Sequence, residues 1–227
     1  MLQLIDKKSK LFLYIAVFFL LGTINNKSFI ANKIPAKKTN NIIVSGLSNE
    51  NNLEVANELK TELLENIFFI DKKKINEILY SNNLIHSFRA KKIYPNLIKI
   101  NIKKAEFLAV INNDNQNFFI GSNAKLIKAN NLKKELPYIF GKIDNKKFLE
   151  FKYVIDESKF EYNEIVSIFF FPSNRWDIKT KDNILIKLPE KNLSNALRIA
   201  YKIKNNEQFK MKKTIDLRVP NQVIISE

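Results

Sequence analysis

A chain of 227 residues has room for one or two small domains, and with 45% hydrophobic residues it is a folding sequence rather than a disordered tail. The formal net charge of +15 invites a nucleic-acid reading, yet only Arg89, Arg175, Arg198 and Arg218 among 38 basic residues carry the bidentate fork that reads phosphates and bases, so no nucleic-acid partner is expected. Most of the lysine surplus reads as solvated background in a Lys/Asn/Ile/Phe-rich composition, and any functional remainder suits an anionic membrane or wall surface better. There are no cysteines, which excludes a disulfide framework and thiolate chemistry. Glycines at 22, 46, 121 and 141 alone cannot build a phosphate-cradling loop, and tight turns must lean on Asn, Asp and Ser.

Lys7, Lys8 and Lys10 precede an uncharged apolar run from Leu11 to Ile24, with Leu11, Phe12, Leu13, Ile15, Val17, Phe18, Phe19, Leu20 and Leu21 as the candidate membrane-facing side chains. Polar uncharged flanks extend the run toward the roughly 20 residues of a spanning helix, giving a transmembrane anchor over 11–30. Positive charge ahead of it places residues 1–10 in the cytoplasm and the bulk outside, a single-pass type II arrangement. A cleaved signal peptide competes with this reading, and length alone does not separate the two, although Gly22-Thr23-Ile24 is a poor cleavage site. Residues 31–40, with Lys33, Pro35, Lys37 and Lys38, read as a linker.

A first unit is expected over 41–106. Ile42–Val44 is a short strand, and Ser48 or Asn49 caps a helix whose Leu53, Ala56, Leu59 and Leu63 recur at helical spacing. Asp71 caps a second helix with Ile75, Ile78 and Leu79 on one face, stopped at Asn82-Asn83. After Tyr94-Pro95-Asn96, Ile98, Ile100 and Ile102 alternate with Lys99, Asn101 and Lys103, the clearest two-residue period in the chain. The order is strand, helix, helix, strand, strand.

A second unit, 107–227, is dominated by short strands: Leu108–Ile111, Asn117–Ile120 and Leu126-Ile127. Phe148, Phe151 and Val154/Ile155 suggest a helix, and Ile165–Phe171 is dense enough to be buried on both faces. Between Trp176 and Ile184–Leu188, Asn183 must take the left-handed position of the turn. Leu193, Ala196, Leu197 and Ala200 form the inner face of another helix, and the chain closes on Thr214–Ile225.

From about residue 40 to the end the chain resembles the bacterial cell-division FtsQ/DivIB family. The match rests on Val44-Ser45-Gly46, Asn66-Ile67-Phe68-Phe69-Ile70-Asp71, the Tyr94-Pro95-Asn96 turn, Leu136-Pro137-Tyr138-Ile139-Phe140-Gly141, and Asp216-Leu217-Arg218. It departs at Lys103-Lys104 and Phe107, where the family has paired acids and a proline, and at Val219, where it has an aromatic. The resemblance implies an α+β fold: a transmembrane helix, a small POTRA domain (β-α-α-β-β), then a β-rich domain with an extended antiparallel sheet and flanking helices. It further implies a non-enzymatic inner-membrane scaffold at the division septum, holding FtsB and FtsL-type proteins. The other readings are a POTRA-type chaperone or translocation component and a secreted basic polymer-binding protein.

No chemistry competes with a binding role. His86, placed in the Asn82–Ser87 loop, has no nucleophile beside it, and Asp6, Asp71, Asp114, Asp144 and Asp177 form no acid–base couple at readable spacing. No catalytic, metal or cofactor residues and no small-molecule substrate are expected, and Trp176 is expected in the core. A terminal strand tends to lie at a sheet edge, where free backbone groups can accept another chain. Thr214, Ile215, Asp216, Leu217, Arg218, Val219, Asn221, Gln222 and Val223 are therefore the candidate partner-binding residues, with Ile215 and Leu217 leaning to the core and Arg218 offering a charge-assisted hydrogen bond to an incoming acid.

Overall fold

The structure is a computed structural model that describes residues 7–23, 41–63, 71–94, 96–129, 135–209 and 212–226. The linker, Ile24, the Asn66–Ile70 connector and Pro95 lie outside the described residues. Helix α1 (Lys7–Thr23) carries the apolar run.

The first unit is a three-stranded sheet in the order β1-β3-β2, with β1 (Asn41–Ser45) parallel to β3 (Leu97–Lys104) and β2 (Ile85–Ile93) antiparallel to it. Helices α2 (Asn49–Glu62) and α3 (Lys72–Ser81) begin where capping side chains satisfy their free N–H groups. Ser48 accepts from the Asn51 amide at 3.4 Å and Asp71 from the Lys73 amide at 2.8 Å. Ile98, Ile100 and Ile102 of β3 pack under both helices with Leu59, Leu63, Ile75 and Leu79. Gly46, at φ +114, turns the chain out of β1 against β3, where a Cβ would lie 1.9 Å from the Ile102 carbonyl oxygen. Leu53 is not part of this core: it is 64% exposed, and Val55 packs inward instead. At 100° per residue the buried stripe runs through 55, 56, 59 and 63, and position 53 falls about 100° to one side.

The second unit is a nine-stranded sheet in the order β12-β11-β10-β9-β8-β7-β4-β5-β6. Its strands are β4 (Phe107–Asn113), β5 (Gln116–Gly121), β6 (Leu126–Lys128), β7 (Tyr138–Phe140), β8 (Ile165–Phe170), β9 (Trp176–Thr180), β10 (Leu185–Lys187), β11 (Thr214–Asp216) and β12 (Ile224–Ser226). The expected antiparallel sheet is in fact mixed, since β4 and β7, β7 and β8, and β10 and β11 pair in parallel. The cause lies in the connections. Helix α4 (Asn145–Asp156) carries the chain from β7 to β8 and α5 (Leu193–Lys204) from β10 to β11, and a helical crossover returns the next strand in the same direction.

Phe148, Phe151 and Ile155 of α4 and Ala196, Leu197 and Ala200 of α5 cover one sheet face. Trp176 is buried there as expected, stacked on Phe151 with centroids 4.2 Å apart. Strand β8 is not buried on both faces, because Val166, pointing away from the helices, is 42% exposed. Asn183 and Gly141 take the positive φ their turns require.

A smaller core of Ala105, Val110, Phe119 and Ile127, joined by Leu84 and Phe107, ties the two units together. His86 belongs to β2 rather than to a loop, and its Nδ1 shares a 3.0 Å hydrogen bond with the Ser122 hydroxyl across this junction. The Asn123 side-chain amide donates to the carbonyls of Asn83 and Ile85, both at 2.9 Å.

Candidate functional site: the C-terminal sheet edge

Strand β11 sits between β10, parallel to it, and β12, antiparallel to it, and β12 is the outermost strand. Among the described residues no strand pairs with its outer side. Alternation along β11 turns Ile215 into the core, where it is 2% exposed, and Leu217 joins it at 6%. Both are structural, in line with the lean from sequence.

Asp216 faces the other way, into a row of charge fixed by register. Lys187 of β10 lies directly between Asp177 of β9 and Asp216 of β11, and Ile224 of β12 completes the row. Arg218 closes on Asp216: its Nε donates to Oδ1 and Oδ2 at 2.8 and 2.9 Å, its Nη2 to Oδ2 at 2.5 Å, and its backbone amide to Oδ1 at 3.0 Å. These bonds hold the Asp216 carboxyl below the usual carboxylate range and raise the Arg218 guanidinium. Asp177 behaves oppositely. Burial pushes its carboxyl up against the pull of Arg175, Arg218 and Lys187. Arg175 Nε stands 3.6 Å from Asp177 Oδ1, and neither buried atom has a hydrogen-bond partner.

Beyond Arg218 the chain turns through Asn221, at φ 60, and Gln222 donates its amide to the Val219 carbonyl at 3.2 Å. The turn and the first half of α5 enclose a cleft of about 630 Å³ with Asn195 and Ile199 on one wall and Leu217, Val219 and Val223 on the other. Val219, Val223 and Ile224 are 46%, 42% and 53% exposed, an apolar rim beside the bare strand. Of the expected residues, Arg218, Val219, Asn221, Gln222 and Val223 therefore meet at the cleft. Thr214 and Asp216 stay within the strand. Asp177, Lys187, Asn195 and Ile199 were not foreseen. Only strand register, which a single sequence does not display, brings the first two to Asp216.

The anchor candidates Leu11, Phe12, Leu13, Ile15, Val17, Phe18, Phe19, Leu20 and Leu21 are all exposed on α1, which is apolar on every side once past Lys10. No helix among the described residues is long and apolar enough to cross a membrane. At 17 residues α1 is about 25 Å long, against roughly 30 Å of hydrocarbon. The described residues contain no group of three His, Asp or Glu able to hold a metal ion.

Both units match known families. Residues 37–104 match the POTRA domain, FtsQ-type, and residues 109–218 match the C-terminal part of the cell division protein FtsQ/DivIB. The cell division protein FtsQ of Rickettsia prowazekii is 30% identical over 197 residues, covering 82% of this chain and 71% of the relative. The chain belongs to the FtsQ/DivIB family. FtsQ of Rickettsia typhi is 29% identical with the same coverage, and that of Rickettsia felis is 26% identical over 195 residues, 84% of this chain and 72% of the relative. A solved structure, the major extracytoplasmic domain of the trans isomer of DivIB from Geobacillus stearothermophilus, aligns at 16% identity and a TM-score of 0.33 over 41% of this chain and 85% of that one, a likeness too loose to bear on the fold. As an FtsQ/DivIB protein the chain is a non-enzymatic cell division protein, and the family implies divisome partners and a division-related location. The match ends at Arg218, so the Val219–Val223 turn lies just past it.

Proposed function

We propose that this protein is a membrane-anchored scaffold of the division machinery that receives an FtsB-type partner, arriving with an FtsL-type protein, on the outer edge of β12. The bare strand beside an apolar cleft carries this reading. An incoming strand would satisfy the free backbone groups of β12, and its apolar side chains would cover Val219, Val223 and Ile224. Arg218 is already oriented by Asp216 and still has donors to offer, so an acid on the partner gains a charge-assisted bond without ordering a long side chain. The POTRA unit, 41–106, stands between this edge unit, 107–227, and the membrane. The segment 11–30, described as far as the end of α1 at Thr23, holds the protein in the inner membrane with its N-terminus in the cytoplasm and the rest in the periplasm at the septum.

Capture of purified FtsB/FtsL-type ectodomains by the full chain in detergent tests this directly. The expected result is capture by the native chain and loss with Arg218→Glu and with Val223→Glu/Ile224→Glu, each remaining folded by circular dichroism. Undiminished capture by both variants would place the partner elsewhere.

A further inference from the structure

The first unit has a second face that the edge-strand role does not use. Helices α2 and α3 cover one side of its sheet, and the other side is open. Register sets what that side presents: Lys91 lies directly opposite Lys99, Arg89 opposite Asn101, and Ser87 opposite Lys103. Strands β1, β2 and β3 contain no acidic residue. Among the described residues Arg89, Lys91, Lys99 and Lys103 form no ion pair, and all four are exposed. Like charges placed directly opposite across a ladder weaken a sheet, so the fold alone gives no reason for this face. Two apolar side chains lie among the cations: Ile43, beside Lys99 and 51% exposed, and Ile93, beside Leu97 and 37% exposed.

We propose that this open sheet face docks on a bilayer carrying anionic lipid headgroups. Flat cationic strands with isolated apolar side chains fit an interface that is anionic outside and hydrocarbon beneath. Position favours the same occupant. Asn41, where the chain enters the sheet, pairs with Leu97 at the end that carries Ile93. Residues 24–40, which join α1 to this end, span at most about 60 Å when fully extended. The inference rests on the anchoring proposed above, which confines the face near the bilayer and raises its local concentration there.

The absence of native cysteine makes a direct test possible. The full chain, carrying a donor fluorophore at Asn101→Cys on the open face, is reconstituted into vesicles of phosphatidylcholine alone or with one-third phosphatidylglycerol, each holding an acceptor headgroup lipid. A second preparation carries the fluorophore at Asn57→Cys, on the exposed side of α2. Flotation on pure phosphatidylcholine reports α1 anchoring by itself; energy transfer reports the face, so the two readings fail separately. The expected result is greater transfer from position 101 in the anionic vesicles, removed by about 0.5 M salt. Lys91→Glu/Lys99→Glu should abolish the excess, since each cation lost weakens partition roughly fivefold. Position 57 should not respond. Equal transfer in both vesicle types, an excess that survives the double charge reversal, or an equal response at position 57 would overturn the proposal.

Discussion

The two ends of the nine-stranded sheet are built from strands of the same length, and they meet opposite fates. At one end, the closed end, β6 packs against the first unit. The Asn83 side-chain amide donates to the Leu126 carbonyl at 2.9 Å, Lys125 Nζ reaches the Tyr80 carbonyl, and Phe119 stacks on Phe107 with centroids 4.6 Å apart in the core joining the two units. At the other end β12 has no strand beyond it among the described residues and shows an apolar rim. A sheet edge is a liability unless it is managed, and here one end of the sheet packs against the protein's own first unit. The contrast supports the other edge as the place reserved for a partner, and it separates residues that hold the molecule together from residues that would hold something else.

The largest effect is expected at the closed end. Phe119→Ala should cost about 3–5 kcal/mol in denaturant unfolding, because it removes a buried ring and leaves a cavity between the units. The fraction that remains folded should still capture the partner. At the open end the pattern should invert. Val223→Glu/Ile224→Glu should lower capture by FtsB/FtsL-type ectodomains at least tenfold while changing unfolding free energy by no more than about 0.5 kcal/mol, the usual range for exposed positions. Asn123→Ala strips both amide donations across the junction and should cost roughly 1–3 kcal/mol with no loss of capture.

The smallest and most discriminating effect concerns pH. The folded Asp216 carboxyl is depressed, so its contribution is present above the ordinary aspartate range near pH 4 and fades as pH falls through the folded value. Asp216→Asn should therefore cost about 1 kcal/mol at pH 7 and less at pH 3. The folded Asp177 carboxyl is raised, so its contribution is present below about pH 4 and is lost as pH rises through the folded value. Asp177→Asn should compare more favourably with the native chain at pH 7 than at pH 4. Two carboxylates separated by one lysine on a sheet row should thus show opposite pH trends in urea titrations.

Local signals carried far in the sequence. Ser48 and Asp71 were readable as caps because a short side-chain oxygen before an apolar period satisfies orphan amides, and the isoleucine alternation of β3 gave away its buried face. Asn183 was readable because a left-handed turn position leaves few residue choices. Signals that depend on register or crossing direction were not readable. Nothing local in β7 or β11 says that its neighbour runs parallel, since that follows from where α4 and α5 return the chain. Leu53 misled because its spacing to Ala56 is helical while the rest of the stripe turns away from it. The last strand does lie at a sheet edge, but that strand is β12, and β11, which carries Thr214 and Asp216, is paired on both sides. The bidentate closure of Arg218 on Asp216, two residues away, depends on strand-end geometry that composition does not reveal. His86, expected in a loop, belongs to β2, and nothing local announces its contact: its partner Ser122 is distant in sequence and comes near only when the units join.

Amide hydrogen exchange on the full chain, with and without the FtsB/FtsL-type ectodomains, tests the reserved edge most directly. The account predicts new protection concentrated at residues 223–226 and the Val219–Gln222 turn, with β6 unchanged because it already packs against the first unit. Binding that leaves β12 exchanging at its free rate, or that protects the β6 end instead, would contradict it.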